Sequence, residues 1–141
     1  MYKVLTIDNM SDNMLAMNQK IKITIVEDEA AIRDMYKFKL QAAGFAVTTA
    51  NDGPSALHVL EHIVPDLILL DIKMPHLPGN EVLKRVRKTT WGQNIKVIVL
   101  TNISRDEAPA DFRMLNVSQY VVKAHHTPNQ VLEIINQVLK I

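Results

Sequence analysis

Five short runs of apolar and β-branched residues punctuate the chain: Ile21–Val26, Phe45–Thr49, Asp66–Leu70, Lys96–Leu100 and Gln119–Val122. Residues 67–70 and 97–100 are apolar at every position, the pattern of parallel strands covered on both faces. Segments of helical period separate the runs. Residues 29–43 bring Ile32, Met35, Tyr36 and Leu40 to one face, and Gly44 follows as a stop. Residues 54–64 open with Pro54 after Gly53 and repeat Leu57, Leu60, Ile63 and Val64. A third helix spans about residues 80–88 on Val82, Leu83 and Val86. The last has the clearest start: Thr127 as N-cap, Pro128 in the first turn and Gln130 completing a capping box. Strict alternation of strand and helix predicts an α/β fold with a doubly wound parallel sheet.

One helix is expected to be irregular. Ser104 and Glu107 suggest a capping box, but Pro109 then falls in the second turn. A proline in a helix interior costs about 3 kcal/mol, so this helix is expected to start late or be distorted. Residues 1–20 read as a leader or tag-like segment outside a domain of residues 21–141. Residues 2–8 resemble a strand ending in an acid, yet a turn-like stretch, 9–13, follows instead of an amphipathic helix. Met1, Met10, Met14 and Met17 crowd into the same segment.

Composition narrows the class without naming a function. A length of 141 residues fits one domain, and 48% hydrophobic with 22% charged residues excludes a wholly disordered chain. Sixteen Lys+Arg against 15 Asp+Glu leave a net charge of +1, so neither a nucleic-acid nor a membrane partner is expected. The lack of cysteine excludes disulfides, thiolate metal sites and cysteine nucleophiles. No apolar stretch is long enough to span a bilayer, and the first 20 residues lack a signal-peptide core. A cytoplasmic location is the expectation.

The candidate chemistry lies at the ends of the apolar runs. Glu27 and Asp28 end the first, Asp71 the third, Thr101 the fourth and Lys123 the fifth. In open parallel α/β sheets the ligand crevice lies outside the carboxyl ends of the strands. An acid after one strand is ordinarily a turn or cap residue; five polar groups at four strand ends are not so readily explained. Three neighbouring carboxylates require protonation or a cation among them. Oxygen ligands without His or Cys suit Mg²⁺. A lysine and a hydroxyl facing that ion would hold an anionic group, and an aspartate between them can attack phosphorus. The residues alone therefore read as Mg²⁺-assisted phosphoryl handling at an aspartate.

Other polar residues carry less. His58 and His62 stand four apart on a helix and could share a metal, but no third ligand is near in sequence, so surface or packing roles are expected. His125 and His126 read as a solvated loop, and His76 as a possible partner contact beside Asp71. Lys84, Arg85, Arg87 and Lys88 read as a helix-dipole complement and solubilising cluster. Trp91 is assigned no chemical role.

The blocks ITIVEDE (23–29), LILLDIKMPHLPG (67–79), VIVLT (97–101) and YVVK (120–123) closely resemble the receiver domain of bacterial two-component response regulators. The resemblance implies a flavodoxin-like (βα)5 fold with a five-stranded sheet ordered 2-1-3-4-5. It implies a phosphoacceptor signalling switch rather than an enzyme, taking a phosphoryl group on Asp71 from a sensor histidine kinase or phosphotransfer protein. Glu27, Asp28, Asp71 and the Lys73 backbone carbonyl would hold Mg²⁺; Thr101 and Lys123 would bind the phosphoryl oxygens. Thr101 and Tyr120 match the switch pair. With no helix-turn-helix after Ile141, a stand-alone domain is expected, a monomer or weak dimer. It would signal to an unidentified downstream protein through the face of the fourth helix, fifth strand and last helix.

Three departures from the family pattern carry expectations. Ala124 replaces the usual cis proline, and a non-proline cis bond costs about 2.5–4 kcal/mol, so a trans Lys123–Ala124 bond and a re-routed 125–126 loop are expected. Asn102 replaces a small residue guarding the aspartate and should narrow access for the phosphodonor. Ile103 cannot orient an attacking water, which implies slow self-hydrolysis. Three other functions compete: a receiver-like scaffold that is never phosphorylated, a small phosphatase using an aspartyl-phosphate, and a flavin-binding module. The phosphatase would want an acid two residues after Asp71, where Lys73 stands. A flavin module would want a Ser/Thr-rich loop where Glu27-Asp28-Glu29 repels phosphate.

Overall fold

The computed structural model describes residues 20–141, so the leader reading of residues 1–20 lies, except for Lys20, outside the described residues. Five strands form one parallel sheet: β1 (Lys22–Val26), β2 (Ala46–Ala50), β3 (Leu67–Leu70), β4 (Lys96–Thr101) and β5 (Gln119–Val122). Their order is β2-β1-β3-β4-β5, the doubly wound order expected. Four α-helices cross between or follow the strands: α1 (Ala30–Ala42), α2 (Gly53–His62), α3 (Gly79–Arg87) and α4 (Pro128–Leu139).

Period-two alternation sends successive strand residues to opposite faces. Ile23, Ile25, Leu67, Leu69, Ile98 and Leu100 pack with Tyr36 and Leu40 of α1 and Val131 and Ile135 of α4. Val26, Ile68, Leu70, Val97 and Val99 pack on the other side with Leu60 of α2, Val82, Leu83 and Val86 of α3, and Phe112. Residues 67–70 are apolar throughout because both faces are covered. The register pairs Val26 with Leu70 and Leu70 with Val99, which brings the ends of β1, β3 and β4 to one edge.

Local signals explain most boundaries. Gly44 closes α1 at φ +96°, a left-handed conformation that glycine adopts without penalty. In α4 the capping box forms as the sequence predicts: Gln130 N donates to Thr127 Oγ1 at 3.2 Å, and Thr127 N to Gln130 Oε1 at 2.9 Å. Helix α2 starts differently. Asp52 is its cap, accepting from Ser55 N at 2.8 Å, and Pro54 is the second helical residue. Three apolar positions expected in the core are exposed: Met35 at 38%, and Ile63 and Val64, beyond the end of α2, at 44% and 38%.

Between β4 and β5 the expected distortion takes a specific form. Two 3₁₀ turns, Arg105–Glu107 and Ala110–Met114, replace an α-helix, with Pro109 between them. Proline disfavours the helical region for the residue before it, and Ala108 is extended at φ −63°, ψ 146°. The Ser104 side chain caps nothing, so the capping box read there does not form. Phe112 and Leu115 still reach the core from this segment.

Arg87 is also unlike its sequence reading. Its guanidinium donates to the carbonyl oxygens of Gly92, Gln93, Ile95, Leu115 and Asn116 at 2.8–3.3 Å. It ties the end of α3 to the entry of β4 and to the turn before β5. No helix among the described residues is long and apolar enough to cross a membrane.

Candidate functional site

The carboxyl edge of the sheet gathers the residues that the strand ends single out. Glu27 directly follows β1, and its side chain is buried at 3% exposure; Asp71 directly follows β3 and is 7% exposed. Thr101, the last residue of β4, is 1% exposed, while Asp28 is open to solvent. Glu27, Asp28 and Asp71 each offer an oxygen within 4.8 Å of the others. Lys123 reaches in from the end of β5, donating to Glu27 Oε1 at 2.5 Å and to Asp71 Oδ2 at 3.0 Å.

Backbone groups hold this arrangement. Ile72 N donates to Asp71 Oδ1 at 2.7 Å, and Glu29 N to Glu27 Oε2 at 3.1 Å. Arg33 of α1 clamps the turn below, its guanidinium donating to the Glu27 carbonyl at 3.0 Å and the Asp28 carbonyl at 3.3 Å. Sequence reading missed this positioning arginine, because a side chain aimed at main-chain carbonyls leaves no motif. Gly79 lies so close behind the site that a Cβ there would overlap the Asp71 carbonyl oxygen.

Burial pushes the Glu27 carboxyl up to about 7; the Lys123 hydrogen bond pulls it back, and the nearby Asp71 charge raises it further. Burial works against the Lys123 ammonium, but the Glu27 hydrogen bond and the Asp71 charge overcome it and hold its pKa above the usual lysine value. This cluster therefore retains protons that a divalent cation would displace. Its donor set is oxygen-only, which suits a hard cation such as Mg²⁺ better than a zinc or copper ion.

Asp71 opens into a cleft of about 230 Å³ shared with Asp28, Lys73, Thr101, Asn102, Ile103 and Lys123. Asn102 and Lys73 are both exposed on its rim. The predicted site residues are thus brought together, with Tyr120 one step removed. Its hydroxyl donates to the Ile103 carbonyl at 2.7 Å, while Ile103 N donates to Thr101 Oγ1 at 3.4 Å. The half-buried Tyr120 ring also lines a groove of about 600 Å³ with Arg105, Pro109, Phe112 and Arg113. The Arg105 guanidinium stands 5.8 Å from the ring centre. Every peptide bond among the described residues is trans, including Lys123–Ala124, and the chain leaves β5 through a 3₁₀ turn, Lys123–His125.

The remaining histidines stay outside the cleft. His58 and His62 face each other on α2, and His126 Nδ1 lies 3.0 Å from the Val122 carbonyl oxygen. His76 is exposed in the β3–α3 loop at φ 68°.

Comparison with known proteins agrees with this geometry. A family model described as the response regulator receiver domain matches residues 23–136. A probable transcriptional regulator, ycf27, of Guillardia theta is 34% identical over 124 residues, covering 88% of this chain and 47% of that protein. The chain spans about half the length of the first curated relatives it matches. An uncharacterized 14.6 kDa protein of Leptolyngbya boryana is 32% identical over 84% of this chain and 88% of its own length. Among solved structures, the chemotaxis protein CheY4 of Vibrio cholerae superposes with a TM-score of 0.78 at 29% identity, covering 84% of this chain and 98% of CheY4. The chain belongs to the response regulator receiver domain family of two-component systems.

Proposed function

We propose that residues 21–141 form a phosphoacceptor switch that takes a phosphoryl group on Asp71 from a histidine kinase or phosphotransfer protein and passes the signal on by protein contacts. The observation carrying this reading is the position of Asp71: buried, between an oxygen-only acidic cluster and the Lys123 ammonium, yet open to a cleft. One Asp71 carboxylate oxygen attacks the phosphorus of a phosphohistidine. An O–P bond forms, the N–P bond breaks, and its electron pair stays on the imidazole nitrogen. Lys123 follows the new negative charge, and the Thr101 hydroxyl, which accepts from Ile103 N in the present arrangement, donates its hydrogen to a phosphoryl oxygen. Glu27, Asp28 and Asp71, whose carboxylate oxygens lie within 4.8 Å of one another, would hold Mg²⁺ together with the Lys73 carbonyl, and the ion would neutralise charge between the carboxylates and the phosphoryl group.

The switch runs through Ile103. Withdrawal of Thr101 Oγ1 toward the phosphoryl group removes the acceptor of Ile103 N, and the Ile103 carbonyl is the acceptor of the Tyr120 hydroxyl. Phosphorylation thereby shifts the population of Tyr120 positions in the groove beside Arg105 and Phe112. That groove is the output surface for a downstream protein in the cytoplasm; neither nucleic acid nor a membrane is a partner of this domain, and it works as a monomer or weak dimer. Asp71 is consumed as an acceptor and not turned over as an enzyme's nucleophile, because Lys73 stands where a phosphatase would place its second acid. The test is labelling by a small phosphodonor with and without a chelator. Labelling that requires Mg²⁺ supports the reading, and labelling indifferent to chelation overturns the assigned role of the acidic cluster.

A further inference from the structure

The geometry points to a second metal site, chemically distinct from the acidic cluster: a bis-histidine chelate for a late first-row transition-metal cation, formed by His58 and His62 on α2. Residues four apart on a helix lie one above the other on the same face. Here the two rings do so closely, with centroids 4.3 Å apart and planes tilted by 39°. Both residues are exposed, so a cation can approach from solvent.

One contact prepares the site. His62 Nδ1 lies 2.8 Å from the His58 carbonyl oxygen. A carbonyl oxygen only accepts, so Nδ1 carries the hydrogen and the neutral ring keeps its lone pair on Nε2. A histidine ligand ordinarily has its other nitrogen bonded to a carbonyl or carboxylate, which fixes both tautomer and ring orientation. His62 has that arrangement before any metal arrives. Helix α2 supplies the rigid frame, with Asp52 and Ser55 capping its start and Ala56 and Leu60 buried beneath it. His58 stands one turn earlier on the same frame, its ring already beside that of His62.

The ligand type decides the metal. Imidazole nitrogen suits Cu²⁺, Ni²⁺ and Zn²⁺, with Cu²⁺ strongest in the usual affinity order, whereas Mg²⁺ keeps to oxygen. The acidic cluster and the histidine pair should therefore sort two classes of cation. No third His, Cys, Asp or Glu joins the pair among the described residues, so water completes the coordination. A cation held there joins the last two turns of α2 and stabilises the folded chain by mass action.

The experiment is Cu²⁺ titration of the full chain in saturating Mg²⁺, followed by electron paramagnetic resonance and thermal unfolding. The comparison set is His58→Gln, His62→Gln and the double variant His125→Gln/His126→Gln. One equivalent of Cu²⁺ with two equatorial nitrogens is expected, raising the melting temperature. Each α2 variant should bind at least about tenfold more weakly and lose that rise, and the His125/His126 variant should bind as wild type. Exposure of both α2 side chains makes folded variants the expectation, and circular dichroism checks it. Equal Cu²⁺ affinity in wild type and both α2 variants, or loss only in the His125/His126 variant, overturns the assignment.

Discussion

The Tyr120 hydroxyl donates to the Ile103 carbonyl oxygen at 2.7 Å, joining the edge strand β5 to the loop that leaves the cleft. Thr101 accepts from the amide of that same residue, so Ile103, through the peptide groups on either side of its Cα, connects the threonine to the aromatic side chain on the groove. Tyr120→Phe removes the donor and leaves the ring. The expected stability loss is about 0.5–1.5 kcal/mol, with labelling of Asp71 retained. Urea unfolding and phosphodonor labelling check the two halves; loss of labelling would place Tyr120 in the acceptor chemistry instead.

Glu27 gives a pH signature with a definite sign. Its carboxyl titrates near 7 in the folded protein against an ordinary value of 4.5. A raised folded value contributes stability that is fully present below the unfolded value and is lost as pH rises through the folded one. Without divalent cation, stability should therefore fall between about pH 5 and pH 7.5. The lowered carboxyls of Asp52 and Asp111 act at more acid pH than this window. Mg²⁺ should bind more tightly as pH rises across it and restore the lost stability. Denaturation midpoints at the two ends, with and without Mg²⁺, measure both effects; Glu27→Gln should flatten the metal-free profile.

Arg87→Ala leaves five carbonyl oxygens without their shared donor. The expected cost is about 2–4 kcal/mol, with Arg87→Lys rescuing only part because an ammonium cannot reproduce the planar fork. Thermal unfolding checks it. The site itself lies at the other end of α3, so Asp71 labelling of the folded variant should match wild type.

Gly79→Ala acts in the opposite manner. The added Cβ would meet the Asp71 carbonyl oxygen and the Ile72 backbone, so β3 and the start of α3 must separate. Overpacking of this kind costs about 1–3 kcal/mol. Slower Asp71 labelling in a variant that remains folded by circular dichroism is the expected result.

These cases also show where the chain's pattern is legible. Glu27, Asp28, Asp71, Thr101 and Lys123 could be placed together because apolar runs mark strand ends and a parallel sheet brings those ends to one edge. The Thr127–Gln130 box was readable because its partners are three residues apart. Arg87 was not, since two of its acceptors, Leu115 and Asn116, are 28 and 29 residues away and are main-chain atoms. Met35 satisfied the helical period but faces solvent, because Tyr36 and Leu40 already fill the space under β1 and β3. Pro109 foretold a disrupted helix; that the chain would settle into two 3₁₀ turns depended on Phe112 and Leu115 reaching the core.

Asp71 is the proposed phosphoacceptor on which the switch depends. Intact-mass measurement after incubation with a small phosphodonor and Mg²⁺ tests it most directly, with wild type beside Asp71→Asn. A single addition of about 80 Da, the mass of one phosphoryl group, present in wild type and absent from the variant, is the predicted result. No addition in wild type, or the same addition in both proteins, would contradict it.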